Sequence, residues 1–158
     1  MRATTPNRPK KPTMQNSADD TRPDPVRVRS ITVRTGRLAC DLIIEEARYR
    51  YTTPQLAAYA TQRYPDLPHH ACVNGKAPSF GAVMESTSVA HLLEHIAISE
   101  QTRASDDPER EFVGTTEWVD EDAGLARIEV SFYDDLEALR AFNDATRFLN
   151  IAVLTCLA

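Results

Sequence analysis

The run SVAHLLEHIAISEQ, from Ser88 to Gln101, constrains this chain more than any other stretch. From Phe80 to about Thr102 the apolar residues Phe80, Val83, Met84, Val89, Leu92, Leu93 and Ile96 recur at helical spacing. That predicts one long helix, or two in tandem with Ser86 to Ser88 as internal caps. On a helix of about 3.6 residues per turn, positions four apart sit one above the other. His91 and His95 therefore project from one face, with Glu94 on the same side.

Two imidazoles on one turn can converge on a single ion with little entropy left to lose. Zn2+ takes tetrahedral N, O or S ligands, and a catalytic site supplies three of them from protein while leaving the fourth position to water. The water's pKa falls toward about 7, and a neighbouring carboxylate can take its proton. The order HxxEH is the one described for inverted zinc peptidases. A third ligand must come from elsewhere, and the loop PDLPHHACVNGKAPS carries His69, His70 and Cys72 just before the helix. Cys72 as thiolate is favoured, with His70 as the other candidate. The competing account is plain: His and Glu at these spacings also form ordinary hydrogen-bonded pairs on a half-exposed helix face.

The remaining elements follow from periodicity and turn chemistry. Residues 1–25, rich in Pro, Arg, Lys, Asp and Thr, have almost nothing to bury and are expected to be a disordered tail. Its cluster Arg8, Lys10, Lys11 is read as solvated. A single domain is expected over 26–158, opening with a strand in which Val26, Val28, Ile31 and Val33 alternate imperfectly with polar residues. Leu38 to Tyr51 fits strand or helix equally. Thr53 and Pro54 make an N-cap and first-turn pair for a short helix carrying Leu56, Ala57, Ala60 and Tyr64. EFVGTTEWV and LARIEVSFY read as an antiparallel hairpin around Asp120 to Gly124. Asp134 or Asp135 caps a last helix whose Leu136, Leu139, Phe142, Phe148, Leu149 and Val153 are expected to face the core. The order implies an α/β-class (α+β) fold, with helices packed on one face of a small, mainly antiparallel sheet.

Charge and cysteines narrow the setting. A net charge of −5 argues against nucleic acid or an anionic membrane as partner and suits a cationic ligand better. Asp120, Glu121 and Asp122 are candidates to line an acidic pocket, although such a run in a hairpin turn is more often simply solvated. No apolar run approaches the roughly 20 residues of a membrane helix, so a soluble protein is expected. The three cysteines form no CxxC pair and follow no secretory hydrophobic region, which places the protein in a reducing cytoplasm. Cys40 and Cys156, flanked by apolar residues, read as small buried hydrophobes.

The set His70, Ala71, Cys72, Phe80, Thr87, His91, Glu94, His95, Ala97 and Gln101, followed by GTTEW and IEVSFY, resembles the N-terminal domain of cyanophycin synthetases. The HxxEH element is also similar to that of pitrilysin-type metallopeptidases. The resemblance covers most of the chain from about residue 50 onward. It implies an α/β domain with a zinc-peptidase-like site acting on a polymer of aspartate and arginine. His91 and His95 are then zinc ligands with Cys72 or His70 as the third, Glu94 is the general base, and the candidate substrate contacts are His70, Thr115, Thr116 and Glu117. Two positions depart from the family pattern. Ser99 stands where a glutamate is common, and Glu117 where an arginine often follows G-x-T. The chain has no room for the synthetase's ATP-grasp and Mur-ligase-like domains.

The first functional expectation is a zinc-dependent peptidase-like domain that hydrolyses a peptide or isopeptide bond, in a basic or Arg-containing polymer such as cyanophycin. The alternative is a non-catalytic binding or assembly module, docking through Trp118 and Tyr133, with homo-oligomerisation open in either case. A purely structural domain whose histidines make only hydrogen bonds is the third reading.

Overall fold

The computed structural model of the protein describes residues 22–72 and 78–158. Most of the expected tail, with Arg8, Lys10 and Lys11, lies outside the described residues, as does the Asn74-Gly75 pair of the loop. The fold is α+β, a four-stranded antiparallel sheet in the spatial order Arg27–Arg34, Arg37–Ile43, Leu125–Ser131, Gly114–Asp120, with two of its three α-helices packed against the sheet and the first helix packed on the last.

β1 (Arg27–Arg34) and β2 (Arg37–Ile43) form the first hairpin. The imperfect alternation of β1 has a cause. Val28 and Ile31 lie out of phase for a regular strand, and a register shift between Val28 and Ser30 restores the phase. Val28, Ile31 and Val33 thus all stand opposite the buried residues Leu42, Cys40 and Leu38. They nevertheless stay 38–45% exposed, because β1 is an edge strand with no neighbour on its outer side among the described residues. The ambiguous segment that follows resolves into β2 and a single 3-10 turn, Ala47–Tyr49.

α1 (Pro54–Arg63) begins as its sequence predicts, with the Thr53 side chain accepting from the Leu56 N–H and Pro54 in the first turn. The expected helix from Phe80 starts later. Phe80–Ala82 is one 3-10 turn, and α2 spans Val89–Ala104 with Ser88 as N-cap. The intervening residues are held by long-range bonds instead. Thr52 N–H donates to the Thr87 carbonyl and Thr87 N–H to Thr52 Oγ1, while Val89 N–H donates to the Arg50 carbonyl. These bonds engage Thr87 and Val89 backbone groups that a continuous helix would need.

β3 (Gly114–Asp120) and β4 (Leu125–Ser131) form the second hairpin. Its turn ends at Gly124, whose φ of 74° favours glycine and whose backbone passes so close to the Ile44 carbonyl that a Cβ would collide with it. α3 (Asp135–Leu157) is capped by Asp134, which accepts from the Glu137 N–H. Phe142, Leu149 and Val153 are buried and Leu139 and Phe148 partly so, but Leu136 is 69% exposed. Ala138 in the same turn is already buried, and Leu136, two residues before it, points to the opposite side of α3.

Along β2 and β4 the inner row Leu38, Cys40, Leu42, Ala126, Ile128 and Val130 is buried. α2 lies deepest. Eleven of its residues are buried, among them the polar Glu94, His95, Ser99 and Gln101. Its end is tied to the sheet where Gln101 Nε2 donates to the Ser131 carbonyl at 3.1 Å. No helix among the described residues is long and apolar enough to cross a membrane.

Candidate metal centre

The Ser88 hydroxyl accepts from the His91 N–H at 3.0 Å, so the capping bond itself holds the backbone of the first histidine. One turn later comes His95. The two Nε2 atoms lie 3.2 Å apart, and Cys72 Sγ is 3.8 Å from His91 Nε2. One ligand atom from each of the three residues falls within 4.8 Å of the others. Zn–N and Zn–S bonds of about 2.0–2.1 and 2.3 Å at the tetrahedral angle separate two nitrogens by about 3.3 Å and a nitrogen from a sulfur by about 3.6 Å. The two His91 separations, 3.2 and 3.8 Å, lie close to that spacing.

Burial sets the charge of these groups. His95 is 2% exposed; desolvation, then the neighbouring His91 and His70, push its pKa down to about 2. Burial lowers His91 as well. Both rings are therefore neutral at physiological pH, the form that binds metal. Phe80 stacks on His95 with ring centroids 3.9 Å apart and meets His91 edge-on at 5.0 Å, fixing both ring planes.

Glu94 occupies the same side of α2. Thr116 Oγ1 donates to its Oε2 at 2.5 Å, and Oε1 lies 3.9 Å from His95 Nε2. Desolvation pushes the carboxyl up to about 7 against the opposing effect of the Thr116 bond. Such a group can hold or release a proton near neutrality. Gly114 permits this approach, since a Cβ there would stand 2.7 Å from Glu94 Cγ and Oε1. The G-x-T pattern by itself carries no sign of this role for the glycine.

The other expected site residues divide. The register places Gly114, Thr116 and Trp118 opposite the inner residues Val130, Ile128 and Ala126, whereas Thr115 and Glu117 stand opposite Glu129 and Arg127 on the outer face. Only Thr116 of the three reaches Glu94, and Thr115 and Glu117 line the rim of the cleft. His70 lies beside His95, its Nδ1 3.0 Å from His95 Nδ1 and its Nε2 2.8 Å from Asp66 Oδ2. His69 is exposed at the edge of a second cavity. Ser99 donates to Asp66 Oδ2, the same oxygen that His70 contacts. Burial raises the Asp66 pKa, but the bonds from Ser99 and His70 outweigh it and hold the carboxyl below its ordinary value. Asp66 is the residue the sequence concealed, standing as it does in a proline-rich turn.

A cleft of about 580 Å³ opens in front of the cluster, with Tyr51, Thr87, Glu94, Glu117 and Trp118 in its walls. No lysine or arginine is among its described lining residues. A second cavity of about 430 Å³ lies on the other side and shares Glu94, His95 and Gly114 with the first. Of the acidic turn, Glu121 accepts from the Tyr51 hydroxyl, Asp122 offers its carbonyl to Arg50, and Asp120 caps the Ala123 N–H. Tyr133, 57% exposed, packs edge-on against Phe112, while Trp118 is half-buried against Tyr51. Cys40 is fully buried, with its thiol pushed up to about 12 by burial and then by Asp41, and Cys156 lies far along α3.

No family model matches the chain, and comparison with curated proteins finds no match.

Proposed function

We propose that the protein is a zinc-dependent hydrolase of peptide or isopeptide bonds, with His91, His95 and Cys72 as ligands and Glu94 as general base. The observation that carries this reading is the convergence of the His91 Nε2, His95 Nε2 and Cys72 Sγ atoms at ligand spacing, with Glu94 Oε1 beside them on an open cleft. When bound, the ion supplies Lewis acidity and a nucleophile usable at neutral pH. The chain's own part is to aim Glu94 Oε1 at that point, anchor Oε2 on Thr116, and keep bulk water away from the buried carboxyl. Among the described residues the cleft walls carry Glu94 and Glu117 and no lysine or arginine, which favours a basic or arginine-containing peptide or polymer. The resemblance to cyanophycin synthetase N-terminal domains points the same way. A thiolate ligand suits a reducing compartment, and we place the activity in the cytoplasm.

Elemental analysis tests the reading. Wild type and Glu94→Gln are expected to hold about one zinc per chain, and His95→Ala to hold little. Glu94→Gln should lose turnover while retaining metal, because only the proton acceptor is removed. Wild-type protein purified without stoichiometric metal, and taking up none on addition, would sink the proposal. Zinc retained with no hydrolysis of any basic peptide would leave a metal-binding module instead.

A further inference from the structure

His91 and His95 are positioned in different ways. His91 Nδ1 lies 2.8 Å from the Thr87 hydroxyl, which can donate or accept and therefore tolerates either tautomer of that ring. His95 has no such latitude. Asp66, an ionised carboxylate at neutral pH, can only accept. His70 must therefore carry its proton on Nε2 and donate it to Asp66 Oδ2 at 2.8 Å. A His70 ring protonated at Nε2 alone presents a lone pair at Nδ1, facing His95 Nδ1 at 3.0 Å. His95 must accordingly be protonated at Nδ1, which leaves its Nε2 lone pair aimed at His91 Nε2 and the Cys72 side of the cluster. Ser99, fully buried one turn beyond His95 on the same helix, donates to the same Asp66 oxygen and holds the carboxylate in place.

We propose that Asp66, Ser99 and His70 form a positioning relay that locks His95 in its Nδ1–H tautomer, so that Nε2 is always presented as a ligand. None of the three is itself a ligand. Both ring nitrogens of His70 are engaged in the relay, so His70 could bind an ion only by breaking it. This leaves Cys72 as the third donor. The purpose of the relay rests on the metal reading above, but the tautomer it imposes does not.

Two measurements test the relay. In zinc-free, 15N-labelled wild type, long-range 1H–15N correlation should show His95 as a single Nδ1–H tautomer, and His70→Ala should show a mixture of both. In chelator competition, Asp66→Ala and His70→Ala should each bind zinc about 10–100-fold more weakly than wild type, the usual cost of losing a partner that orients a ligand. The Co2+-substituted visible spectrum should keep its band positions in both, since the ligand set is unchanged. The relay is overturned if wild-type His95 is Nε2–H or mixed, if neither variant weakens zinc binding, or if His70→Ala shifts the cobalt bands as a lost ligand would. Wild type that binds no zinc would defeat the metal reading alone, and the tautomer measurement would still decide the relay.

Discussion

Glu94 is the residue on which pH acts most directly. Its carboxyl is displaced from the ordinary 4.5 to about 7 in the metal-free fold, chiefly by desolvation. Between those values the folded state binds more protons than the unfolded chain, so this group's contribution to stability is present at low pH and lost as pH rises toward 7. The displacement is worth about 3 kcal/mol. Glu94→Gln removes the titration while keeping a similar shape. Zinc-free Glu94→Gln should therefore gain stability relative to zinc-free wild type by about 3 kcal/mol between pH 4.5 and 8, as read by urea unfolding at each pH. His95 works with the opposite sign in both proteins, since a histidine kept neutral by burial costs stability as pH falls below 6.5, and so it cancels from the difference. A flat difference across that range would mean that Glu94 is solvated and unfit to be a general base.

At the scale of elements, the site depends on where α2 begins. Ser88 caps the helix through the His91 N–H, so Ser88→Ala should cost about 1 kcal/mol of stability and also weaken zinc binding, because fraying reaches the first ligand. Asp134→Ala removes the equivalent cap of α3 and should cost about as much without touching zinc affinity. Unfolding curves paired with chelator competition on the two variants separate these effects. The same helix shows what could be read in advance. The HxxEH spacing and the Thr53-Pro54 start are local signals, and both were legible because nothing distant can alter which residues lie four apart. The start of α2 was legible only as one of two alternatives, with a cap among Ser86 to Ser88, and Arg50 and Thr52 decide it from another part of the chain. Asp66 stayed hidden for a related reason. Its tie to Ser99 joins residues 33 apart in sequence, and neither periodicity nor composition records such a pairing. Thr115 and Glu117 line the cleft, but strand alternation sets them opposite Glu129 and Arg127, so Thr116 alone of the three reaches Glu94.

Across the whole molecule, stability and function sit at opposite edges of the sheet. The metal cluster is built from α2 and Cys72, with the edge strand β3 holding Glu94 beside it through Thr116, whereas β1 forms the far edge. There the start of the ordered sheet is fastened to the last helix. Val26 N–H donates to Asn150 Oδ1 at 2.8 Å and Asn150 Nδ2 donates to the Val26 carbonyl at 3.0 Å, with both residues buried. This closes the fold between residues 124 apart, near its beginning and its end. Asn150→Ala strands two buried backbone groups, each of which costs about 1–3 kcal/mol when left without a partner. The variant should lose about 2 kcal/mol or more in urea unfolding. Zinc stoichiometry and affinity at 25 °C should stay at wild-type values, because β2 and β4 stand between the broken tie and β3. If Asn150→Ala weakened zinc binding as strongly as His70→Ala, the cluster would not be a rigid, locally determined site. Its geometry would then depend on closure of the entire chain, and the ligand spacing could not be credited to α2 and its neighbouring loop.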